Sequence, residues 1–591
     1  MQGWAALSVG LVAFAAYVFA ATPTPYPLDS AELATAAFGL GVAHPPGEET
    51  TLLFAKAFTL LPLGNTAFKV ALSQAAAGAA AAVLVFFLVL QTLQTVALVL
   101  ERTSLRTRTA VASAAALAFA FAPGVVAVSD RAEVYAVQTA LSLGGLWLAL
   151  QARAHRDARL AMLAALTIGL GVGNHSLVAG LVGAGAVVAA WTLLRASTTR
   201  GRFVLLAVLA FSAGLLVHAY LPLRTQALFA AADRGPDNID NVLWGDARSL
   251  RGLWWLVSAH TFAEKTALVH GNATPWDLPF VFFEELELVF ALLAPAGLYF
   301  LVRRSSSRPA GIAVAVAAAG SILAALVGGL DPGNPDIRGY LGSAIALVAV
   351  LSASAVATGL GLLRSSKLRT LLAVLFLAGA ASRFPSPSQY PGLRHASAAD
   401  GEVRRILADL PARGALFTSH FETGFLVGYQ RFVEGARPDV AWAHLAFAAG
   451  PGYAERAGMA HPELAGVLAK AAHSGGDLTA ELNTLDEIRP VRLEPSAVLP
   501  PSVRRSLGPN GELWALAKHT SATPVAPLPS WMLAEASGDR QVKSYLAWRN
   551  YIDAVWACEF GLHERATGRF ANLERLVPRD ERFAELRAHC P

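Results

Sequence analysis

Val70–Leu90 reads VALSQAAAGAAAAVLVFFLVL, and a few residues later Glu101–Arg108 reads ERTSLRTR. An uncharged apolar run of about 20 residues matches a hydrocarbon core of about 30 Å. Arginines directly after such a run mark the end that stays in the cytoplasm. The same pairing recurs along the first part of the chain. Basic clusters stand at Arg102, Arg106 and Arg108, at Arg153, Arg156 and Arg159, and at Arg195, Arg200 and Arg202. Two more follow, Arg303, Arg304 and Arg308, then Arg364, Lys367 and Arg369. Enough apolar sequence lies between successive clusters for an even number of crossings, so all five fall on one side. The pattern predicts roughly eleven transmembrane helices, at about 3–21, 67–92, 109–128, 133–151, 158–174, 176–194, 203–222, 278–302, 309–330, 340–362 and 370–383. The long connections, about 22–66 and 224–277, alternate to the outside, as does everything after Arg383.

Composition agrees. Of 591 residues, 54% are hydrophobic and 15% charged, against about 25% charged in a soluble protein. The deficit lies in residues 1–383, read as an all-α polytopic membrane domain. Residues 384–591 have ordinary mixed charge and read as a soluble extracytoplasmic domain. The first apolar run, Trp4–Ala21, lacks a basic n-region and a small-residue cleavage site, and is expected to be a retained helix. The net charge of +5 carries no nucleic-acid signature. Cys558 and Cys590 are the only cysteines, which excludes a cysteine metal cluster and leaves their pairing open.

Sidedness gathers the conspicuous polar motifs onto the outer surface. Tyr26–Glu32 reads YPLDSAE, and His44–Gly47 reads HPPG. Asp29 and Glu32 share a helix face, as a capping box or as a general base with an orienting or metal-binding partner. The two prolines hold His44 in an extended turn. Asp130-Arg131-Ala132-Glu133 repeats the acidic tetrad at the same membrane level, again as a cap or as part of a shared pocket. Gly173-Asn174-His175 forms a tight hairpin tip, where the His is either solvated or faces the site. Arg224, closing Tyr220–Arg224 (YLPLR), either snorkels to headgroups or binds phosphate. Asp331–Arg338 reads DPGNPDIR, a turn by composition, with Asp336 or Arg338 reaching the site as the sharper reading. Neither a Walker A nor a dinucleotide glycine loop appears. The spans carry few polar groups, which favours chemistry at the outer interface over a lipid-linked saccharide transporter. A non-catalytic receptor or scaffold is the other alternative.

In this order the motifs resemble those of a large membrane family long catalogued as a domain of unknown function. It includes the eukaryotic protein O-mannosyltransferases and belongs to the GT-C glycosyltransferase superfamily. The likeness runs from Asp29–Glu32 and His44–Gly47 through Glu133-Val134-Tyr135, Asn174-His175 and Tyr220–Arg224 to Asn241–Asp246. It implies a GT-C fold, a polyprenyl-phosphate sugar donor and an extracytoplasmic protein or glycolipid acceptor, at the cell inner membrane. It also implies catalysis by Asp29 with Glu32. The expected substrate-binding residues are His44, Asp130, Glu133, Asn174, His175, Arg224 and Arg338. A divalent cation is compatible with this set; sugar identity and stereochemistry stay open. Ala31 stands where Gly is expected, and Glu48-Glu49 make the turn more acidic than the resemblance leads one to expect.

The tail predicts a helix at 401–410, a strand at 415–420, a helix at 425–433 and a second strand after Val440, a small α/β arrangement. Residues 545–587 read as helices with short breaks, like one degenerate tetratricopeptide unit.

Overall fold

The computed structural model describes residues 1–590 apart from 198, 236–240, 266–274, 330–334, 385–391, 474–475, 497–498 and 522–523. Asp331–Asn334 of the predicted outer turn therefore lie outside the described residues. Helices α1 (Gln2–Ala20) and α4 (Thr66–Leu93) flank the first outer connection, which holds the short helices α2 (Ser30–Gly39) and α3 (Glu49–Thr59). There follow α5 (Ala97–Arg102), α6 (Leu105–Ala120), α7 (Pro123–Ala127), α8 (Tyr135–His155), α9 (Ala158–Ala196), α10 (Arg200–Leu215), α11 (Tyr220–Ala232) and α12 (Leu250–Val257). The last group is α13 (Leu278–Arg303), α14 (Arg308–Val327), α15 (Pro335–Tyr340), α16 (Gly342–Leu362) and α17 (Ser366–Ala381).

Among the described residues, seven helices are long and apolar enough to cross a membrane. The sequence expectation of eleven differs for physical reasons. Helices α6 and α17 have only 16 residues each, α8 carries Gln138, Thr139, Ser142 and Gln151 within its 21 residues, and α9 contains two predicted crossings in one continuous stretch. That stretch breaks at His175, where φ is −150° and ψ 93°. Its halves fold back on each other: a Cβ added at Gly183 would meet Ile168 Cγ2 at 3.0 Å, and one at Gly171 would meet Ala179 Cβ at 3.3 Å. The predicted hairpin tip is therefore present.

Small residues let the helices approach closely, as expected where lipid provides no hydrophobic drive between helices. A Cβ on Gly297 would strike the Leu351 carbonyl, and one on Gly320 the Leu181 carbonyl. Helix α16 is the centre of the bundle, with 78% of its apolar window buried, whereas the α10–α11 stretch has 11% buried and lies at the rim. Rim residues such as Leu205, Val208 and Leu209 are exposed, as suits a lipid-facing surface.

Beyond α17 comes α18 (Ala398–Ala408), then a five-stranded sheet in the order β2-β1-β3-β5-β4. Its strands are β1 (Ala415–Thr418), β2 (Ala441–His444), β3 (Val491–Leu493), β4 (Leu507–Asn510) and β5 (Leu513–Leu516). Strand β1 runs parallel to β2, with Ala415 opposite Ala441, and parallel to β3; β5 is antiparallel to β3 and to β4. Helix α19 (Phe421–Phe432) is the crossover between β1 and β2. Three helices, Arg540–Glu559, His563–Leu576 and Glu581–His589, close the chain. Trp556 meets Trp514 of β5 edge-on with ring centroids 5.0 Å apart. Cys558 and Cys590 form a disulfide that ties the last helix to the first of these three.

Candidate active site at the first outer connection

Asp29 precedes α2, but its side chain makes no cap hydrogen bond. The capping-box reading fails because both acids turn toward His44. The His44 backbone N–H donates to Glu32 Oε1 at 2.7 Å, and its Nδ1 lies 2.9 Å from Glu32 Oε2. On the other edge of the ring, Nε2 is 3.2 Å from Glu48 Oε1 and 3.8 Å from Asp29 Oδ2. The proline pair makes this possible. Gly47 and Glu48 follow at φ 108° and 57°, so the chain doubles back and carries Glu48 to the Nε2 edge of the ring. A left-handed Glu48 costs about 1–2 kcal/mol.

The four groups differ in access. Glu32 and Glu48 are buried, while the Asp29 side chain keeps 32% exposure. Asp29 is thus the carboxylate an outside molecule can reach. Its pKa is raised to about 7, chiefly by burial; His44 opposes the rise, while Glu32, Asp336 and Glu48 add to it. Burial opposes charge on His44, yet Glu48, Glu32 and Asp29 outweigh this and hold its pKa well above the usual value. The ring is therefore an imidazolium that neutralises part of an acid-rich cluster. Asp29, Glu32 and His44 each offer one ligand atom within 4.8 Å of the others, and Glu48 Oε2 is buried with no hydrogen-bond partner. An oxygen-rich set with one imidazole fits a divalent cation.

The second acidic tetrad lies beside the first. Arg131 donates to Glu133 and to Asp336, both at 3.0 Å, and its guanidinium lies over the Tyr26 ring at 5.7 Å. Asp130 is fully buried. Burial raises Glu133, Asp336 adds to it, Arg131 opposes, and Asp29 adds again, so this tetrad and Asp29 feel one another. His175 is buried rather than solvated, 4.7 Å from Tyr340 and 5.7 Å from Tyr135 by ring centroid. Among the described residues its Nδ1 has no hydrogen-bond partner.

Three of the expected ligands are spent on the protein itself. Asn174 accepts from the Thr51 N–H and hydroxyl and donates to Val134 O and Gln138 Oε1, joining α3, α8 and the hairpin tip. Arg224 donates to Leu40 O at 2.7 Å and Gly39 O at 3.2 Å, closing the C-terminal end of α2. Arg338 pairs with Glu285 at 2.8 Å and Glu284 at 2.7 Å.

The structure adds a residue that sequence reading missed. Glu422, at the start of α19, accepts the Leu28 N–H at 3.0 Å. Leu28 immediately precedes Asp29 and has φ 65°, a strained conformation for a residue with a Cβ. Burial raises the Glu422 pKa to about 7, the Leu28 N–H opposes, and Asp336 adds. Tyr26 donates to Asp539 at 2.9 and 3.0 Å, a second tie from the tail to the same loop. Separations of 394 and 513 residues left no local signal for either contact. Glu48 did carry one, as the unexpected acid after the turn.

Residues 29–199 match the family described as the Protein O-mannosyl-transferase TMEM260 N-terminal domain. That span contains Asp29, Glu32, His44, Asp130, Glu133, Asn174 and His175; Arg224 and Arg338 lie outside it. The mouse (Mus musculus) protein O-mannosyl-transferase TMEM260 is 32% identical over 265 residues, covering 42% of this chain and 33% of that protein. The chain therefore spans about a third of the length of this curated relative. Among solved structures, ArnT from Cupriavidus metallidurans bound to undecaprenyl phosphate overlaps with a TM-score of 0.45 at 14% identity, over 73% of this chain and 85% of that one. The Archaeoglobus fulgidus oligosaccharyltransferase, tethered with an acceptor peptide containing the NVT sequon, overlaps with a TM-score of 0.40 at 12% identity, over 83% and 68%. Neither overlap supplies a residue correspondence. The match over 29–199 and the mouse relative bear out the family resemblance read from the motifs.

Proposed function

We propose that this chain is a membrane glycosyltransferase. It moves a hexosyl group, mannose-like, from a polyprenyl phosphate to an acceptor hydroxyl on a protein at the outer face of the cytoplasmic membrane. One observation carries the reading: a reachable carboxylate, Asp29, is held by the buried Glu32–His44–Glu48 cluster at the ends of apolar helices. The name of the mouse relative supports the sugar and the acceptor class, and the disulfide suits an oxidising compartment.

In this reading the acceptor O–H hydrogen-bonds to Asp29, which takes its proton as the oxygen bonds to the sugar anomeric carbon. The bond from that carbon to the phosphate oxygen breaks, and the polyprenyl phosphate leaves with the electron pair. Such a leaving group needs positive charge rather than a protein acid. Arg131, Arg224 and Arg338 all hold protein groups, so the imidazolium of His44 is the cation nearest Asp29. A divalent cation held by Asp29, Glu32 and a neutral His44 would take the place of the imidazolium proton and supply the positive charge in its stead. Glu422 sets the backbone that carries Asp29.

The test is mass spectrometry of lipids that co-purify with the protein. A polyprenyl-phosphate hexose enriched over bulk membrane lipid is expected. Its absence from active, membrane-extracted protein would remove the donor assignment.

A further inference from the structure

A second polar site lies at the opposite end of the helices. Helix α4 has 28 residues, about 42 Å at 1.5 Å per residue. Its start touches the tail, where the Tyr429 hydroxyl accepts the Ala67 N–H, and its last turn carries Gln91. Gln91 is 6% exposed and lines a cavity shared with the ends of α8 and α9 and with the α13–α14 connection. Gln94, Arg153, Arg156, Thr192 and Ser306 also face it, and its lining includes no Asp or Glu. This is the end that the basic clusters assign to the cytoplasm.

The charges here are arranged unlike those of the outer arginines. Arg131, Arg224 and Arg338 are tied to carboxylates or carbonyls. Among the described residues, the side chains of Arg153 and Arg156 make no ion pair or hydrogen bond, and neither does the buried Gln91 carboxamide. A guanidinium offers five N–H donors and accepts nothing. The cavity thus presents unspent donors and positive charge.

Its walls are apolar at Leu100, Leu150 and Leu193. Beside it Trp191 is 47% exposed, with the Arg195 guanidinium 5.1 Å from its ring centroid, an arrangement typical of headgroup depth. The cavity measures about 650 Å³, within the ~300–1,000 Å³ usual for small-molecule clefts. There is room for a headgroup and the start of its chains.

We infer that this cavity binds the phosphate of an anionic membrane lipid, clamped by Arg153 with Arg156 and hydrogen-bonded by the Gln91 and Gln94 carboxamides. Basic pockets between helices on the cytoplasmic side suit such headgroups, and the planar fork of Arg matches phosphate oxygens. The site is remote from Asp29 and does not depend on the transfer reaction.

The experiment compares wild-type protein with Arg153→Ala, Arg153→Gln and Arg153→Lys in phosphatidylcholine nanodiscs doped with phosphatidylglycerol. Native mass spectrometry reads the phosphatidylglycerol retained per chain. The Ala and Gln variants are expected to retain about tenfold less, and the Lys variant an intermediate amount, because it keeps the charge and loses the fork. Thermal melting in undoped discs should be the same for all four proteins, which separates lost binding from lost folding. A second arm adds inorganic phosphate. If it fails to displace the lipid, the ligand is the headgroup; if it displaces the lipid and raises the melting temperature only when Arg153 is present, the ligand is free phosphate. Equal lipid retention by wild type and Arg153→Ala, with no phosphate effect that depends on Arg153, overturns the inference.

Discussion

At the first outer connection three carboxylates, Asp29, Glu32 and Glu48, share the imidazole of His44. In the tail four carboxylates, Glu402, Glu494, Glu512 and Asp553, meet four guanidiniums, Arg405, Arg549, Arg565 and Arg569. Both groups are largely buried, yet their acids respond in opposite ways. Burial pushes Glu48 and Asp29 up, and His44 only partly restores them. Burial also opposes the charge of Asp553, but Arg569 and Arg565 outweigh it and bring its pKa down to about 2. A balanced network holds helices together; an acid-rich one holds charge in wait for something to bind. The two are joined in one chain of contacts. Arg549 pairs with Glu494, Glu494 accepts the Ser419 and His420 N–H groups, and the same turn delivers Glu422 to Leu28.

The contrast breaks most visibly at Asp29. Asp29→Asn is expected to lower transfer by about a thousandfold, since it removes the base proposed for the reaction. Its melting temperature should stay level or rise, because one of three crowded acids becomes neutral. The tail should behave in reverse. Asp553→Asn leaves Arg565 and Arg569 short of a counter-charge and should cost about 3 kcal/mol of stability, read by denaturant unfolding, while transfer per folded molecule is kept.

Acid sharpens the same contrast. The folded pKa of Asp553 lies below its unfolded value, so its contribution is complete above about pH 4. It is lost as pH falls through about 2, a change of about 2 kcal/mol. A melting series between these values should show that loss in wild type and not in Asp553→Asn. The smallest effect belongs to the joint between the regions. Glu422→Ala should reduce kcat about tenfold, with little change in the KM for donor, and Glu422→Gln, which can still accept the Leu28 N–H, should recover most of it. A loss of binding without a change in kcat would make Glu422 part of a substrate pocket instead of a support for the loop.

Much of this was legible in the chain. Val70–Leu90 announces a span, the basic clusters put the acidic motifs at one end, and Gly173–His175 marks the turn within α9. The convergence of Asp29, Glu32 and His44 followed from proline-directed backbone and from sidedness. Strands β1 and β2 lie close to the stretches expected to be strands, 415–420 and the run after Val440. What escaped has physical causes. An Asp before a helix looks the same whether it caps the helix or faces an imidazole, so the role of Asp29 needed the folded loop. Arg224 and Asn174 sit at helix ends, where polarity signals equally a ligand, a carbonyl or a neighbouring helix. Glu422 acts across 394 residues of sequence, and no local pattern encodes a contact at that separation.

The most direct measurement is transfer by purified protein from a polyprenyl-phosphate hexose to an acceptor protein, comparing wild type with Asp29→Asn at equal amounts of folded, donor-loaded enzyme. Labelled acceptor from wild type, and none above background from the variant, is the expected result. An Asp29→Asn protein that labels the acceptor at the wild-type rate would contradict the assignment of this cluster as the catalytic centre.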